Sequence, residues 1–316
     1  MANTNTLFKQ FDEKIKLTEP KKEELRTSRD AIREDVERWL LDNEKGNSRF
    51  CLQGSFAMNT TVNPINSDEF DIDYGVYLLK FEETEKSAWP IPDTVHNWIL
   101  SAVSDRTSKT PINKNACVRV SYGHGYHVDI PIYIEQDGVT YLANRSEGWL
   151  PSDASGFVKW LNDKKDADGQ LVRIIRYLKR WKDYRDVPLK GIEITIMTAN
   201  YFSPANTRDD DAIRYTVEAI LASLRVSFTC IKPVIPYEDM FADVSSSKKE
   251  SILNELDVLL DNLQKASDAS DEGTAADYLR TVFGDSFPKG ESSQNKAASY
   301  IATSTPAVLE HDGRSA

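Results

Sequence analysis

Cysteine is scarce in this sequence, and its three residues of this type, Cys51, Cys117 and Cys230, lie far apart. An odd number at such wide spacing does not suggest a disulfide framework, so we expect small core thiols in a reducing compartment. Histidine is scarce too, with four residues and no ligand-like cluster. A structural zinc site, which needs closely spaced Cys and His ligands, is therefore disfavoured.

Long hydrophobic runs are also missing. No run approaches the roughly 18 consecutive apolar residues that a membrane-spanning helix needs. The first six residues lack a basic region followed by an apolar one, so we expect no signal peptide. Hydrophobic residues make up 40% of the 316 residues and charged residues 28%, which is typical of a globular protein. We expect a cytoplasmic protein without a membrane partner.

Positive charge is the third scarcity. The 39 Lys and Arg residues against 50 Asp and Glu residues give a net charge of −11. A general nucleic-acid-binding protein would normally show a basic face, so this class is disfavoured. A nucleotide substrate is not excluded, because a local basic pocket is enough to bind it. An acidic chain that binds an anion should concentrate its basic residues in one place.

What is present is a mixed α/β pattern followed by a helical one. Residues 19–44 have apolar residues at helical spacing, with Thr18 as the N-cap and Pro20 in the first turn. Periodicity and turn signals predict further strands at 49–53, 69–79, 118–122, 126–134 and 139–143, and further helices at 93–104, 153–165, 170–185, 191–205, 209–226, 248–266 and 274–284.

This division predicts two domains and a tail. We expect the first domain at residues 1–150 and a helical lobe at 151–285. The long helix at 19–44 is expected to span both. Residues 286–316 are rich in Ser, Ala, Gly and charged residues, and this composition is typical of a mobile tail.

Two carboxylates on one predicted strand give the strongest chemical signal. Side chains two residues apart on a strand share a face, so Asp71 and Asp73 point the same way. They repel each other unless a cation lies between them. Asp129 follows on a later strand that we assign to the same sheet. Three carboxylates at the edge of a small sheet predict a site for Mg²⁺, which prefers hard oxygen ligands.

An anion-binding element is expected beside these acids. Gly54-Ser55 follows a predicted strand and begins a short helix, where backbone N–H groups and the Ser hydroxyl can bind a β- or γ-phosphate. The predicted helix at 170–185 supplies a second element. Its five basic residues concentrate positive charge that the rest of the chain lacks: Arg173, Arg176, Lys179, Arg180 and Lys182.

Each element alone also has a simple structural interpretation. A Gly-Ser turn is commonplace, and an Asp-x-Asp pair is more often a solvated strand face or loop. A basic helix is more often a solvated face. The ordered combination is more specific: Gly-Ser, then Asp-x-Asp on the next strand, then an Asp on a later apolar strand.

This order resembles the nucleotidyltransferases of the polymerase-β superfamily, and within it the bacterial cGAS/DncV-like nucleotidyltransferases (CD-NTases, the SMODS group). The resemblance covers roughly residues 20–285. It implies an α+β fold in which a polymerase-β-like core with a small mixed sheet joins an all-helical lobe, with the active site between them. The matching segments are Gln53-Gly54-Ser55-Phe56, Asp68 to Val76, Val128-Asp129-Ile130-Pro131 and Leu178-Lys179-x-Trp181.

The resemblance also implies an activity. Members of this group condense ATP, GTP or other nucleotides into cyclic di- or trinucleotides that act as second messengers in bacterial antiphage (CBASS) signalling. Carried onto this chain, Asp71 and Asp73 would bind two Mg²⁺ (or Mn²⁺) ions. Asp129 would bind the catalytic metal and help to activate the attacking ribose hydroxyl. Ser55 and Lys179 would bind the donor triphosphate.

Other nucleotide-binding positions follow the same resemblance. Gln53 and Gly54 accompany Ser55 in the phosphate-binding turn. The family often has Ser followed by Tyr on a later helix, where this chain has Thr195-Ile196. Thr195 keeps the hydroxyl, whereas Ile196 cannot stack on a base as Tyr does. We assign no base-stacking residue, and the bases and linkage of the product stay undefined.

The implied partners are nucleoside triphosphates as substrates and a downstream effector that binds the product. Regulatory or tail-conjugating proteins are further candidates, and we expect a monomer. The alternative activities are a linear oligonucleotide synthase and a transferase that adds one nucleotide to a small molecule or protein. An inactive nucleotide-binding sensor is an alternative of another class, and the intact acid triad argues against it.

Overall fold

The computed structural model describes residues 2–65, 70–123 and 125–291. Its strands are β1 (Ser48–Gln53), β2 (Phe70–Leu78), β3 (Ile112–Asn113), β4 (Val118–Ser121), β5 (Tyr126–Ile130), β6 (Ile132–Gln136), β7 (Val139–Asn144) and β8 (Gly148–Pro151). Its helices are α1 (Asn5–Ile15), α2 (Glu19–Asp42), α3 (Gly54–Ala57), α4 (Pro92–Ala102), α5 (Ala154–Lys164), α6 (Gln170–Tyr184), α7 (Gly191–Tyr201), α8 (Asp209–Val226), α9 (Ser246–Asp268) and α10 (Glu272–Phe283). The α+β fold is therefore as predicted, with the described strands all before the helical half.

Strand β2 is the centre of one mixed sheet. It pairs antiparallel with β1 on one side and parallel with β5 and β6 on the other. Strands β4 and β7 pair antiparallel with β5 and β6, respectively. The amino-terminal half of β2, residues 70–73, therefore lies beside β5, which positions the acidic residues that the two strands carry.

The single strand predicted at 126–134 is interrupted, because Pro131 separates β5 from β6. Proline has no N–H to donate to a sheet, so it interrupts a ladder. Its carbonyl still accepts a hydrogen bond from the Val76 N–H at 2.9 Å. The two halves therefore keep their alignment with β2 while each pairs with a different strand on its outer side.

Two hydrophobic clusters form the core. One joins the inner face of the sheet to apolar residues of α2 and α4, such as Ile32 and Ile99. The other joins apolar residues of the helices from α5 to α10. The domain boundaries at residues 150 and 285 stay a prediction.

The long helix that was expected to span both domains is α2, and its buried apolar residues pack with the sheet. Helix α2 packs in the cluster of the sheet through Leu25, Ile32, Val36 and Leu40. A separate helix that the sequence interpretation missed, α1, packs instead in the helical cluster. The chain becomes extended at Lys16, and Pro20 fits the first turn of α2. Helix α1 therefore packs with the helical half and α2 with the sheet, and a helix that spans both halves stays a prediction.

Helix α1 meets the end of the described chain. The rings of Phe8 and Phe11 lie against those of Phe283 and Phe287, with centroids 5.0 to 5.9 Å apart. All four side chains are fully buried. Aromatic pairs at such distances contribute beyond their buried area, so α1 is an integral part of the helical half.

Several sequence predictions fall outside the described residues. They are Asp68 and Glu69 in the acidic run and residues 292–316 of the predicted tail. Within the described ranges, no helix is both long enough and apolar enough to cross a membrane.

Candidate active site

The sheet register brings the predicted acids together. Asp73 on β2 is the direct neighbour of Asp129 on β5, and Asp71 is the neighbour of His127. The same row continues outward, because Gln53 on β1 pairs with Asp73 and Arg119 on β4 pairs with Asp129. Adjacent strands lie about 4.7–4.9 Å apart. Side chains opposite each other in such a row meet on one face of the sheet.

One group of side chains has the spacing of a metal site. Ligand atoms of Asp71, His127 and Asp129 all lie within 4.8 Å of one another. The sequence predicted no role for His127. Its ring comes into reach because the β2–β5 register sets it beside Asp71. Periodicity alone could not show this, since it does not encode register.

Asp73 lies in a buried position beside two other carboxylates, which disfavours its charged form. Burial, together with the negative charges of Asp71 and Asp129, raises the pKa of its carboxyl from 3.8 to about 7. The positive charges of Arg119 and Lys179 act in the opposite direction. A carboxylate in this position repels its neighbours, and a divalent cation would relieve that repulsion. The oxygen-rich donor set therefore fits Mg²⁺ or Mn²⁺.

The turn between β1 and β2 approaches the acids closely. Gly54 has a φ of +62°, and a Cβ at this position would overlap the Asp73 carboxylate. The hydroxyls of Ser55 and Thr61 share a hydrogen bond of 2.8 Å. The Tyr133 hydroxyl donates to the Gln53 side-chain oxygen at 3.0 Å. These contacts fix the turn directly beside Asp73.

A cleft of about 810 Å³ lies above this turn. Eight residues were predicted for the site, and Asp129 is the one that is not among the described residues lining the cleft. It pairs with Arg119 on the side of the row away from Asp73. The other seven line the cleft: Gln53, Gly54, Ser55, Asp71, Asp73, Lys179 and Thr195.

Lys179 links the helical half to the turn region. Its ammonium is buried and donates to the Thr60 carbonyl at 3.2 Å and to the Thr60 hydroxyl at 3.1 Å. Burial lowers the pKa of Lys179 to about 8, while the charge of Asp71 raises it. An ammonium has three N–H groups, so one more hydrogen bond can be donated into the cleft.

The three arginines of the basic helix bind other parts of the fold and do not provide the free positive charge that was predicted for the cleft. Arg173 binds Asp209, and Arg176 binds Asp12. Arg180 donates to the Asn63 carbonyl. These three side chains point toward other parts of the fold because α6 is buried on most sides. Of the five basic residues, Lys179 and Lys182 line the cleft, so the expected concentration of free positive charge is much smaller.

Thr195 is fully buried at the wall of the cleft, and its hydroxyl donates to the Gly191 carbonyl at 2.8 Å. It would have to rotate to donate to a phosphate. Sequence reasoning missed further charged residues of the cleft wall. They come from loops without periodicity or from helix ends, and they include Asp183, Asp186 and Lys232.

Two of the three cysteines are buried thiols, as expected, whereas Cys51 is only half-buried. All three are free thiols; Cys117 and Cys230 are buried, and Cys51 is half-buried. Burial raises the pKa of the Cys117 thiol to about 12. A thiol held neutral in this way is a packing residue at the cleft wall rather than a nucleophile.

Comparison with known proteins also indicates a nucleotidyltransferase domain. Residues 48–133 match the family "Cyclic GMP-AMP synthase DncV-like, nucleotidyltransferase domain". The CBASS oligonucleotide cyclase CdnC of Escherichia coli (strain KTE188) is 23% identical over 207 residues, which is 63% of this chain and 66% of that relative. The chain thus spans about two thirds of the length of the curated relatives it matches.

Solved structures share the fold. The crystal structure of Vibrio cholerae DncV cyclic AMP-GMP synthase, a prokaryotic cGAS homologue, aligns with a TM-score of 0.76 at 17% identity, covering 92% of this chain and 98% of that chain. The structure of CdnC from E. coli MS115-1 with ATP aligns with a TM-score of 0.70 at 18% identity, covering 90% and 98%, respectively.

The fold is therefore the predicted α+β fold, which the DncV and CdnC structures share, and the strands that carry the acidic row lie within the matched nucleotidyltransferase domain. The resemblance to the cGAS/DncV-like nucleotidyltransferases that the sequence predicted is confirmed by the family match of residues 48–133, by the CdnC relative and by the DncV structure.

Proposed function

We propose that this protein condenses nucleoside triphosphates, ATP and/or GTP, into a cyclic di- or trinucleotide and releases pyrophosphate. The observation that carries this proposal is the register that sets Asp73 beside Asp129, with Gly54, Ser55 and Lys179 close to the same acids. A cleft of about 810 Å³ lies within the usual range of ligand pockets, about 300–1,000 Å³.

Asp71, Asp73 and Asp129 are the residues that would hold two Mg²⁺ or Mn²⁺ ions. When bound, such ions supply positive charge that stabilises the attacking and leaving oxygens in phosphoryl transfer. The clustered carboxylates support this assignment, because burial and then the charges of Asp71 and Asp129 raise the pKa of Asp73.

The chain's own residues would position the donor nucleotide. The Ser55 hydroxyl and the remaining Lys179 N–H point to a triphosphate site at the wall of the cleft. In the reaction an acceptor ribose hydroxyl forms a bond to the donor α-phosphorus, and the bond to the β-phosphate breaks. The hydroxyl proton passes to a carboxylate, for which Asp129 is our candidate. A second transfer of the same kind, within the linear intermediate, closes the ring.

The proposed biological setting is bacterial antiphage signalling in the cytoplasm. The related E. coli protein is a CBASS oligonucleotide cyclase, and CdnC of E. coli MS115-1 was solved in complex with HORMA. For this chain we propose a downstream effector that binds the product, and regulatory or tail-conjugating proteins as further partners. The catalytic unit is proposed to be a monomer.

The test is incubation with all four nucleoside triphosphates and Mg²⁺ or Mn²⁺, followed by mass spectrometry before and after phosphatase treatment. A cyclic product has no terminal phosphate and resists the phosphatase. A linear oligonucleotide loses its terminal phosphates, which would favour the linear synthase. Nucleotide binding without any product would favour the inactive sensor, and transfer to an added small molecule or protein would favour a one-step transferase.

A further inference from the structure

Arg119 holds the third acid of the site from the far side. It lies on β4 directly opposite Asp129 on β5. Its Nε donates to Oδ1 at 2.7 Å and its Nη2 donates to Oδ2 at 2.6 Å. The side chains are 21% and 12% exposed, so this pair is largely removed from solvent. Arg119 is not among the described residues that line the cleft.

This bidentate contact fixes the orientation of the Asp129 carboxylate as well as balancing its charge. A planar guanidinium that binds both carboxylate oxygens defines the plane of the carboxylate as well as its position. Each carboxylate oxygen has two lone pairs, and the fork occupies one on each. The fork does not use the second lone pair on each oxygen. On the side of the acidic row, Nε2 of His127 lies 4.0 Å from Oδ2, and ligand atoms of Asp71, His127 and Asp129 lie within 4.8 Å of one another.

We propose that Arg119 is the positioning residue of this site, which orients the Asp129 carboxylate toward a divalent cation and the attacking hydroxyl. The inference rests on the proposed function of the acidic row. Ligating carboxylates in metal sites are usually oriented by a further hydrogen-bonding partner, and its loss typically costs about 10–100-fold in metal affinity or activity. Arg119 has the geometry of such a partner.

Charge and orientation can be separated experimentally. An arginine beside a cation site repels the cation, so its charge alone would weaken metal binding. Arg119→Lys keeps the charge but loses the planar fork, because lysine is a point charge on a flexible chain. A loss in this variant therefore reports orientation rather than charge.

The experiment uses the full chain with a non-hydrolysable nucleoside triphosphate analogue. Mn²⁺ binding is followed by electron paramagnetic resonance or calorimetry, and kcat and KM are measured separately. For Arg119→Lys we expect Mn²⁺ binding to weaken about 10–100-fold, kcat to fall by a similar factor, and KM for nucleotide to stay within about twofold. The matched control is Arg185→Lys, since Arg185 makes the same fork on Glu255 at 2.9 and 3.0 Å outside the cleft lining.

Wild-type Mn²⁺ affinity together with wild-type kcat in Arg119→Lys would overturn the proposal. A lower melting temperature with unchanged Mn²⁺ affinity would also overturn it, because it would make Arg119 a structural link between β4 and β5. If Arg119→Lys does not fold, Arg119→Gln is measured at saturating Mn²⁺, where only the loss of orientation should lower kcat. If the wild type makes no nucleotide product, the proposed function fails, whereas the Mn²⁺ comparison still decides the role of Arg119.

Discussion

Gly54 and Asp73 approach each other so closely that no Cβ fits between the turn and the carboxylate. We predict that Gly54→Ala abolishes most of the activity because the added Cβ displaces Asp73. Backbone strain at a positive φ should in addition lower the free energy of unfolding by roughly 1 kcal/mol. The measurement is product formation together with urea unfolding. The matched control is Gly138→Ala, where φ is +75° and nothing lies within 4 Å of an added Cβ. Equal activity losses in both variants would contradict the steric explanation.

The acidic row should matter for activity and should oppose stability. We predict that the double variant Asp71→Ala/Asp73→Ala forms no product and keeps its fold, because it removes proposed metal ligands and mutual repulsion together. Melting curves with and without Mg²⁺ check this. The wild type should gain stability from Mg²⁺, whereas the variant should not. Undiminished product from the variant would refute the metal assignment.

The pKa of Asp73 also gives a signed pH dependence. Its folded-state value of about 7 is above the ordinary value of 3.8, so the folded state binds the proton more tightly than the unfolded state does. In EDTA, the contribution of Asp73 to stability is therefore largest below pH 3.8 and is lost as pH rises toward 7. We expect the wild type to lose more stability than Asp73→Asn over this range. Parallel stability curves for the two proteins would contradict it.

Lys179 should make nucleotide binding sensitive to alkaline pH. Its pKa of about 8 means that it is charged below this pH and loses its charge as pH rises through it. We predict that Lys179→Ala raises KM for nucleotide roughly 10- to 100-fold, the value of a charge-assisted hydrogen bond. The rise of wild-type KM above pH 8 should be absent in the variant. Lys159→Ala, on an exposed lysine of α5, is the control, and an unchanged KM in Lys179→Ala would make Lys179 structural.

The buried pair of Asp12 on α1 and Arg176 on α6 should stabilise the helical half. Both side chains are 6% exposed, with two bonds of 2.7 Å, and Arg176 also donates to the Asn59 carbonyl. We predict that Asp12→Ala lowers the free energy of unfolding by about 3–5 kcal/mol, because it leaves a buried charge unpaired. Urea titration is the measurement. Asp163→Ala, in an exposed pair, should cost no more than about 1 kcal/mol, and an equally small loss for Asp12→Ala would contradict the prediction.

Local sequence pattern was sufficient for most elements and for the acids. A period of two residues places Asp71 and Asp73 on one strand face, and the order of the motifs adds Asp129. The pattern in α1 was also readable, since Leu7, Phe8, Phe11 and Ile15 have helical spacing, but the sequence interpretation did not use it. These features depend on residues close together in the chain.

The remaining features depend on distant partners. Arg119 and His127 join the site only through strand register, which no local pattern encodes. The charges on α6 look free in the sequence, yet Arg176 is neutralised by a carboxylate 164 positions away. Sequence periodicity identifies a charged face without showing what lies opposite it.

The packing of α1 against the end of the helical half also constrains synthesis. Phe8 and Phe11 leave the ribosome about 270 residues before Phe283 and Phe287. At a translation rate of about 5–20 residues per second, these rings wait roughly 15–55 s for their partners. Co-translational folding can therefore complete the sheet early. Tyr177 of α6 can cover part of Phe8 and Phe11 once it emerges, but their contacts with Phe283 and Phe287 stay open until translation is nearly finished. A chaperone that shields this segment on the ribosome would act where the chain is most open to aggregation.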